Sequence, residues 1–209
     1  MIDGRLQRGE RTRQAVLDTA VRLASVEGLD GLSLARLAQT LGVSKSGLFT
    51  HWPDKQALQL AIVEQARQQW VEQIIEPALR APGRVRKLWA LHEHRLAFYA
   101  SAQLPGGCFF RAVDGEFDDR PGPVHDAIAA AVDSWMDLLT RLAGRAVELG
   151  ELRPGTDPGL LAFEIEALGA AVVVHTHLLH HEHSHRYARR AVLDRLRALA
   201  TDPSILPEA

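Results

Sequence analysis

The chain has 209 residues, 46% of them hydrophobic and 24% charged, and a formal net charge of −2. That composition suits a globular chain with ample core, as one large domain or a small one joined to a larger one, and excludes a uniformly basic or low-complexity polymer. The single cysteine, Cys108, excludes an internal disulfide, and with no apolar N-terminal run and no stretch approaching a bilayer span, the expectation is a cytoplasmic protein without membrane contact.

Helical periodicity runs through nearly the whole chain. A first helix is expected from about Gly9 to Glu27, burying Val16, Ala20, Leu23 and Ala24 and stopping at Gly28. Residues 5 to 13, RLQRGERTR, carry four arginines (Arg5, Arg8, Arg11, Arg13) and one glutamate, an arm suited to phosphates or a minor groove, or simply a solvated tail. From Ser33 to Lys55, SLARLAQTLGVSKSGLFTHWPDK reads as a helix-turn-helix and the start of another helix. Ser33 is placed as N-cap, Leu34, Leu37, Ala38 and Leu41 form one apolar stripe, and Gly42 ends the helix in a left-handed turn. Val43 plugs the corner and Ser44 caps a second short helix, Lys45 to Trp52. That helix would bury Leu48, Phe49 and Trp52 and leave Lys45, Ser46, Gly47, Thr50 and His51 outward, a small, polar and cationic face that fits a major groove. An ordinary helical hairpin would show the same stripe.

Pro53 and Asp54 then break the chain, and Asp54 caps a helix carrying Leu58, Ile62, Ala66 and Trp70 that is expected to fade before Pro77. Pro82 and Gly83 precede a helix from about Arg84 to Ser101. LPGG (Leu104 to Gly107) is a turn, Cys108 to Phe117 a short helix, and Asp118 to Pro123 another break. A long helix is expected from Val124 to Leu149, then a loop with Asp157 as cap, then helices near Leu160 to His180 and Ser184 to Ala200. No period-two strand pattern competes, so the expected fold is all-α.

The stretch GLFTHWPDKQALQLAIVEQA, Gly47 to Ala66, resembles the TetR family of bacterial transcriptional repressors. Phe49, Trp52, Lys55 and Leu58 fill the family's pattern of two aromatics, a turn, a lysine and an apolar helix, and Arg11 to Val43 matches its first two helices. The resemblance covers about the first 66 residues. It implies a three-helix DNA-binding head over residues 1–53 and a larger helical domain for ligand binding and dimerisation over 54–209. One departure is Phe49, where the family usually has tyrosine, which removes a phenol–phosphate hydrogen bond. On this reading Arg11, Arg13, Ser33, Ser44, His51 and Lys55 would hold phosphates of double-stranded DNA. Lys45, Ser46 and Thr50 would face base edges, and Gly47 would let the backbone approach.

The resemblance also implies a small-molecule effector among the body helices. Val85, Leu88, Trp89, His92, Leu96 and Tyr99 make an apolar stripe with His92 as its polar member, and Trp89, His92, Phe109, Phe110 and Trp135 are the expected ligand-binding group. A plain aromatic core gives the same pattern. The last two long helices are expected to form a homodimer interface, through Ala162, Ile165, Glu166, Gly169, Ala170 and Val173 and through Ala188, Ala191, Val192, Arg195 and Leu199. An intramolecular core is the alternative.

A competing signal lies in HTHLLHHEHSH, residues 175 to 185, whose six histidines contain an H-E-x-x-H match at His181, Glu182 and His185. A break expected near Ser184 would spoil the helical zinc geometry, so no catalytic residue, metal ligand or cofactor is assigned and the chain is not read as an enzyme. Clustered histidines nonetheless bind zinc, nickel or copper readily. The alternatives to a DNA-binding regulator are therefore a histidine-site metal-binding regulator or metalloenzyme, and a helical interaction protein.

Overall fold

A computed structural model describes residues 4–42, 44, 48 and 51–208, and of residues 4–8 and 11 the backbone alone. Its principal helices are α1 (Gly4–Glu27), α2 (Leu34–Leu41), α3 (Lys55–Trp70), α4 (Val85–Ala100), α5 (Phe109–Phe117), α6 (Pro123–Glu148), α7 (Pro158–His177) and α8 (Ser184–Leu199). No strand occurs among the described residues, only a lone bridge between Leu152 and Ala200.

The caps read at Ser33, Gly42, Asp54 and Asp157 hold. The Ser33 hydroxyl accepts from the Arg36 amide at 3.2 Å, and Gly42 closes α2 at φ 65°. Asp54 accepts from the Ala57 amide at 2.7 Å, and Asp157 from Gly159 and Leu160. Two expectations are corrected. Residues 4–13 are the first turns of α1 and not an arm preceding it, because nothing between Gly4 and Gly28 breaks a helix and a single Gly9 is tolerated. Pro77 does not end the helix begun at Lys55. The chain widens into one turn of π register at Val71–Ile75 and stays helical through Ala78. Widening relieves the clash of the proline ring with the preceding turn, and Pro77 lacks only a donor that an i→i−4 ladder would need.

The described chain divides into two compact units. One holds the residues up to Gln68 with Leu104–Ala130, the other Gln69–Gln103 with Ala131–Ala209. This packing division does not follow the functional boundary expected at residue 53: the first part of α3, α5 and the start of α6 group with the head.

In the first unit, α1 contributes Val16, Leu17, Ala20, Val21 and Ala24 to a core with Leu37, Leu48, Trp52, Leu58, Ile62, Phe109, Val113 and Phe117. The loop from α1 to α2 is fastened by Glu116 of α5, whose Oε2 accepts from the Leu29 and Asp30 amides at 2.8 and 3.0 Å. Gly28 has φ 78°, which favours glycine, and a Cβ there would lie 1.5 Å from Glu116 Oε1 and displace the carboxylate that fastens this loop. Asp30 in turn accepts from Lys55 Nζ and from Arg120, each at 2.8 Å, and these bonds, Lys55 first, hold its carboxyl below the ordinary range.

In the second unit, α4 packs against α7 and α8 through Val85, Leu88, Leu91, Leu96, Leu161, Ile165, Val172, Val192 and Leu196. Glu151 caps α4 from a distant loop by accepting from the Arg84 and Val85 amides at 2.6 and 2.9 Å. α7 corrects the expectation that no apolar stretch nears bilayer length: it has 20 residues and is apolar enough to qualify by composition alone. It also carries Glu164 and Glu166, ion-paired to Arg195 and Arg95.

Candidate nucleic-acid interface and effector site

The frame of a helix-turn-helix is built by burial. Leu34, Leu37 and Ala38 fix α2 against α1, and beyond Gly42 both Leu48 and Trp52 are buried. His51 and Trp52 donate to the Leu48 carbonyl at 3.0 and 3.2 Å, a helical turn that leaves the His51 side chain exposed, its ring 5.5 Å from the Trp52 indole. Ser44 is exposed just past the corner. Of the remaining expected DNA contacts, Ser33 is exposed while serving as the α2 cap, and Lys55 is half-exposed but bonded to the Asp30 carbonyl and carboxylate. Arg13 pairs with Glu10 at 3.4 Å. Lys45, Ser46, Gly47 and Thr50, and the side chain of Arg11, lie outside the described residues, as do Val43 and Phe49.

The five side chains expected to bind an effector do not fall in one unit. Phe109 and Phe110 belong to the first, edge to face at 5.3 Å, and Trp89, His92 and Trp135 to the second. Trp89 and His92 are neighbours at 6.3 Å, and Arg189 of α8 stacks on Trp89 at 5.2 Å while bonding Glu93 of α4 at 3.0 Å. His92 is wholly buried. Neither ring nitrogen has a hydrogen-bond partner among the described residues; the Ala188 carbonyl approaches without reaching bonding geometry. Burial, then the nearby Arg95 and Arg189 charges, push its pKa down to about 3, so the imidazole is neutral at physiological pH.

One turn beyond His92 stands a residue that sequence reasoning missed. Arg95 has a side chain 3% exposed, enclosed by Trp70, Tyr99 and Trp135 with ring centroids 5.5–5.7 Å from its guanidinium carbon. Its two terminal nitrogens donate to the Glu166 carboxylate at 2.8 and 3.0 Å, and its Nε to the Tyr99 hydroxyl at 2.7 Å. Trp135 Nε1 donates to the same carboxylate at 2.6 Å. Burial opposes the charge, but Tyr99 and Glu166 outweigh it and raise the arginine pKa further. The guanidinium fits because Gly169 lacks a side chain: a Cβ there would lie 2.4 Å from Arg95 Nη1. Trp135, expected beside a ligand, is thus a wall of this internal ion pair.

The small-residue face of α7 is accordingly intramolecular. Ala162, Ile165, Gly169 and Val173 are buried within the chain and Glu166 is spent on Arg95, which corrects their assignment to a partner helix. On α8, Ala188 and Val192 are buried likewise. The opposite face of α7 carries Leu160, Phe163, Ala167, Ala171, Val174 and Leu178, all exposed at three- and four-residue spacing, with Phe163 at 63%.

In the histidine-rich segment, α7 ends at His177 and α8 begins at Ser184, so His181 and Glu182 lie in a loop and His185 in a helix. The H-E-x-x-H match therefore does not share one helical face.

Residues 16–62 match the family of bacterial regulatory proteins called tetR, and residues 85–192, more than half of the chain, match the tetracyclin repressor-like C-terminal domain. The chain belongs to the TetR family. Members are ligand-responsive, DNA-binding transcriptional regulators. The HTH-type transcriptional regulator AcrR of Shigella flexneri is 34% identical over 77 residues, which are 37% of this chain and 36% of that one, so the likeness spans about a third of the relative's length. A TetR transcriptional regulator of Chloroflexus aurantiacus superposes with a TM-score of 0.84 at 23% identity, over 93% of this chain and 98% of that one. AibR in complex with isovaleryl coenzyme A and operator DNA superposes at 0.66 with 21% identity, covering 90% and 97%. These two superpositions establish the TetR fold across both units.

Proposed function

We propose that this protein is a cytoplasmic, homodimeric repressor that binds a palindromic operator and is released by a small-molecule effector, acting by binding and not by catalysis. The observation that carries the DNA reading is the corner itself. Ser33 caps α2, Gly42 turns the chain, and Leu48 and Trp52 are buried further along it; Lys45, Ser46, Gly47 and Thr50 fall in this stretch of sequence and would supply the base-facing side chains. Residues 1–53 would form the DNA-reading part and residues 54–209 the effector and dimer part, which α3 opens. The solved AibR complex, which contains both a ligand and operator DNA, supports this pairing of functions in one fold.

Lys45→Ala tests the DNA reading. It is expected to weaken binding to the DNA flanking the protein's own gene by about 1–3 kcal/mol, with little change on random DNA. Equal losses on both would make Lys45 a phosphate contact, and no loss on either would remove it from the interface. Gel shift or fluorescence anisotropy at fixed salt reads both.

Dimerisation would use the exposed stripe of α7, since that apolar surface has no cover within the described chain. Two-fold pairing through it gives two heads for two half-sites. Phe163→Asp places a charge on the largest exposed side chain of the stripe, near its N-terminal end, without touching the core. It should convert the protein to monomers in sedimentation equilibrium and abolish tight operator binding while leaving the helical circular dichroism intact. A dimer that survives Phe163→Asp would exclude this face.

The effector would contact Trp89 and His92 of the second unit. An inward imidazole with no internal partner supports this most directly.

A further inference from the structure

We infer that His175 and His181 form a two-imidazole site for a borderline divalent metal ion, Zn²⁺, Ni²⁺ or Cu²⁺, that ties the loop after α7 back to the helix end. The Nδ1 atoms of the two rings lie 3.4 Å apart, with the ring planes tilted by 60° and centroids 5.5 Å apart. That is long for an N–H···N hydrogen bond. It is the separation of two nitrogens on one tetrahedral ion, since two bonds of about 2.0–2.1 Å at the tetrahedral angle span about 3.3–3.4 Å.

The pair is held in place by the backbone. His180 adopts φ 54°, a left-handed turn that returns the chain on itself, and the His181 amide then donates to the His175 carbonyl at 2.8 Å. Ser184 locks the far side: its hydroxyl donates to the His181 carbonyl at 2.8 Å and meets the Thr176 hydroxyl at 2.7 Å. The backbone carrying two ligands six residues apart is thus set before any ion arrives, which lowers the ordering cost of binding. Both side chains are exposed, so an ion has access. Among the described residues no group of three or more His, Cys, Asp or Glu side chains converges, and water would complete the coordination shell. Borderline ions suit imidazole, whereas Mg²⁺ and Ca²⁺ prefer oxygen ligands.

The test is equilibrium dialysis of the full chain, free of affinity tags, against Zn²⁺, Ni²⁺, Cu²⁺, Co²⁺ and Mg²⁺. The expected result is about one tightly held ion per chain, with affinity rising from Co²⁺ to Ni²⁺ to Cu²⁺, lower for Zn²⁺ than for Cu²⁺, and no retention of Mg²⁺. His175→Gln and His181→Gln should each lose that ion, whereas His177→Gln and His183→Gln should keep it. Zn²⁺ should raise the melting temperature of the wild type and not of His181→Gln, a surface loop variant whose unliganded melt checks that it folds. In nitrogen-15 spectra the Nδ1 resonances of the two rings should shift together on Zn²⁺ addition. Unchanged binding in the His175→Gln/His181→Gln double variant would overturn the site. An equal loss in His177→Gln or His183→Gln would overturn it as well, reducing the effect to diffuse capture by a histidine-rich loop.

Discussion

Glu166→Leu is expected to destabilise the fold by about 3–5 kcal/mol, and more than Arg95→Leu. The asymmetry follows from exposure. The Arg95 side chain is 3% exposed and that of Glu166 26%, so a carboxylate left alone can draw in water whereas the guanidinium cannot. Arginine also does not escape by losing its proton, since its ordinary pKa already lies far above physiological pH. Removing Glu166 further strips Trp135 Nε1 of its acceptor, leaving a second polar group to be satisfied. The double variant, with leucine at both positions, should recover much of the loss, because apolar side chains replace an ion pair whose desolvation cost about matched its attraction. Urea unfolding of the four proteins closes the cycle, and a coupling energy near zero between the positions would show that the pair contributes packing alone.

The elements were legible in the sequence wherever a local signal set them. Ser33, Gly42, Asp54 and Asp157 each act on their own neighbours, and the caps and turns fall where those residues stand. The π turn before Pro77 was not legible, because a proline with helix on both sides looks the same as one that ends a helix until the register is seen. The candidate effector site was half legible. His92 stood out as the polar member of an apolar stripe, but a stripe gives a helix face and not its partner, so Phe109 and Phe110 were grouped with it by hydrophobicity alone. Arg95 was missed for a related reason: a cation three residues after His92 reads as solvated unless its carboxylate is known. Its signal was present in Glu166 and Gly169 on another helix, a lone acid beside a gap on a face otherwise small and apolar. That gap was taken as room for a partner helix, and the structure fills it with the guanidinium.

His92 should make the stability of this protein acid-sensitive in a window that can be stated in advance. In the unfolded chain its pKa returns to about 6.5, whereas in the fold burial holds it at about 3. Between those values the unfolded state binds a proton that the native state refuses, so stability is full above pH 6.5 and falls as the pH drops towards 3. The slope from this one group is at most about 1.4 kcal/mol per pH unit. His92→Leu removes it. Unfolding free energies measured by urea at several pH values should therefore fall less steeply in the variant between about pH 6 and 4, by one proton's worth. Parallel curves would mean that the native imidazole is protonated in place and that its surroundings are wetter than its burial implies. The same substitution probes the effector. If a ligand supplies the hydrogen bond that the ring lacks, His92→Leu should leave operator affinity nearly intact without ligand and impair release with it. Release requires the ligand to prefer the DNA-free arrangement, typically by about 1–3 kcal/mol, and operator DNA must then weaken ligand binding by the same factor. Titrating an inducer found by screening against free and operator-bound protein measures that factor directly. Equal affinities in the two states would exclude release by coupling, however tightly the compound binds.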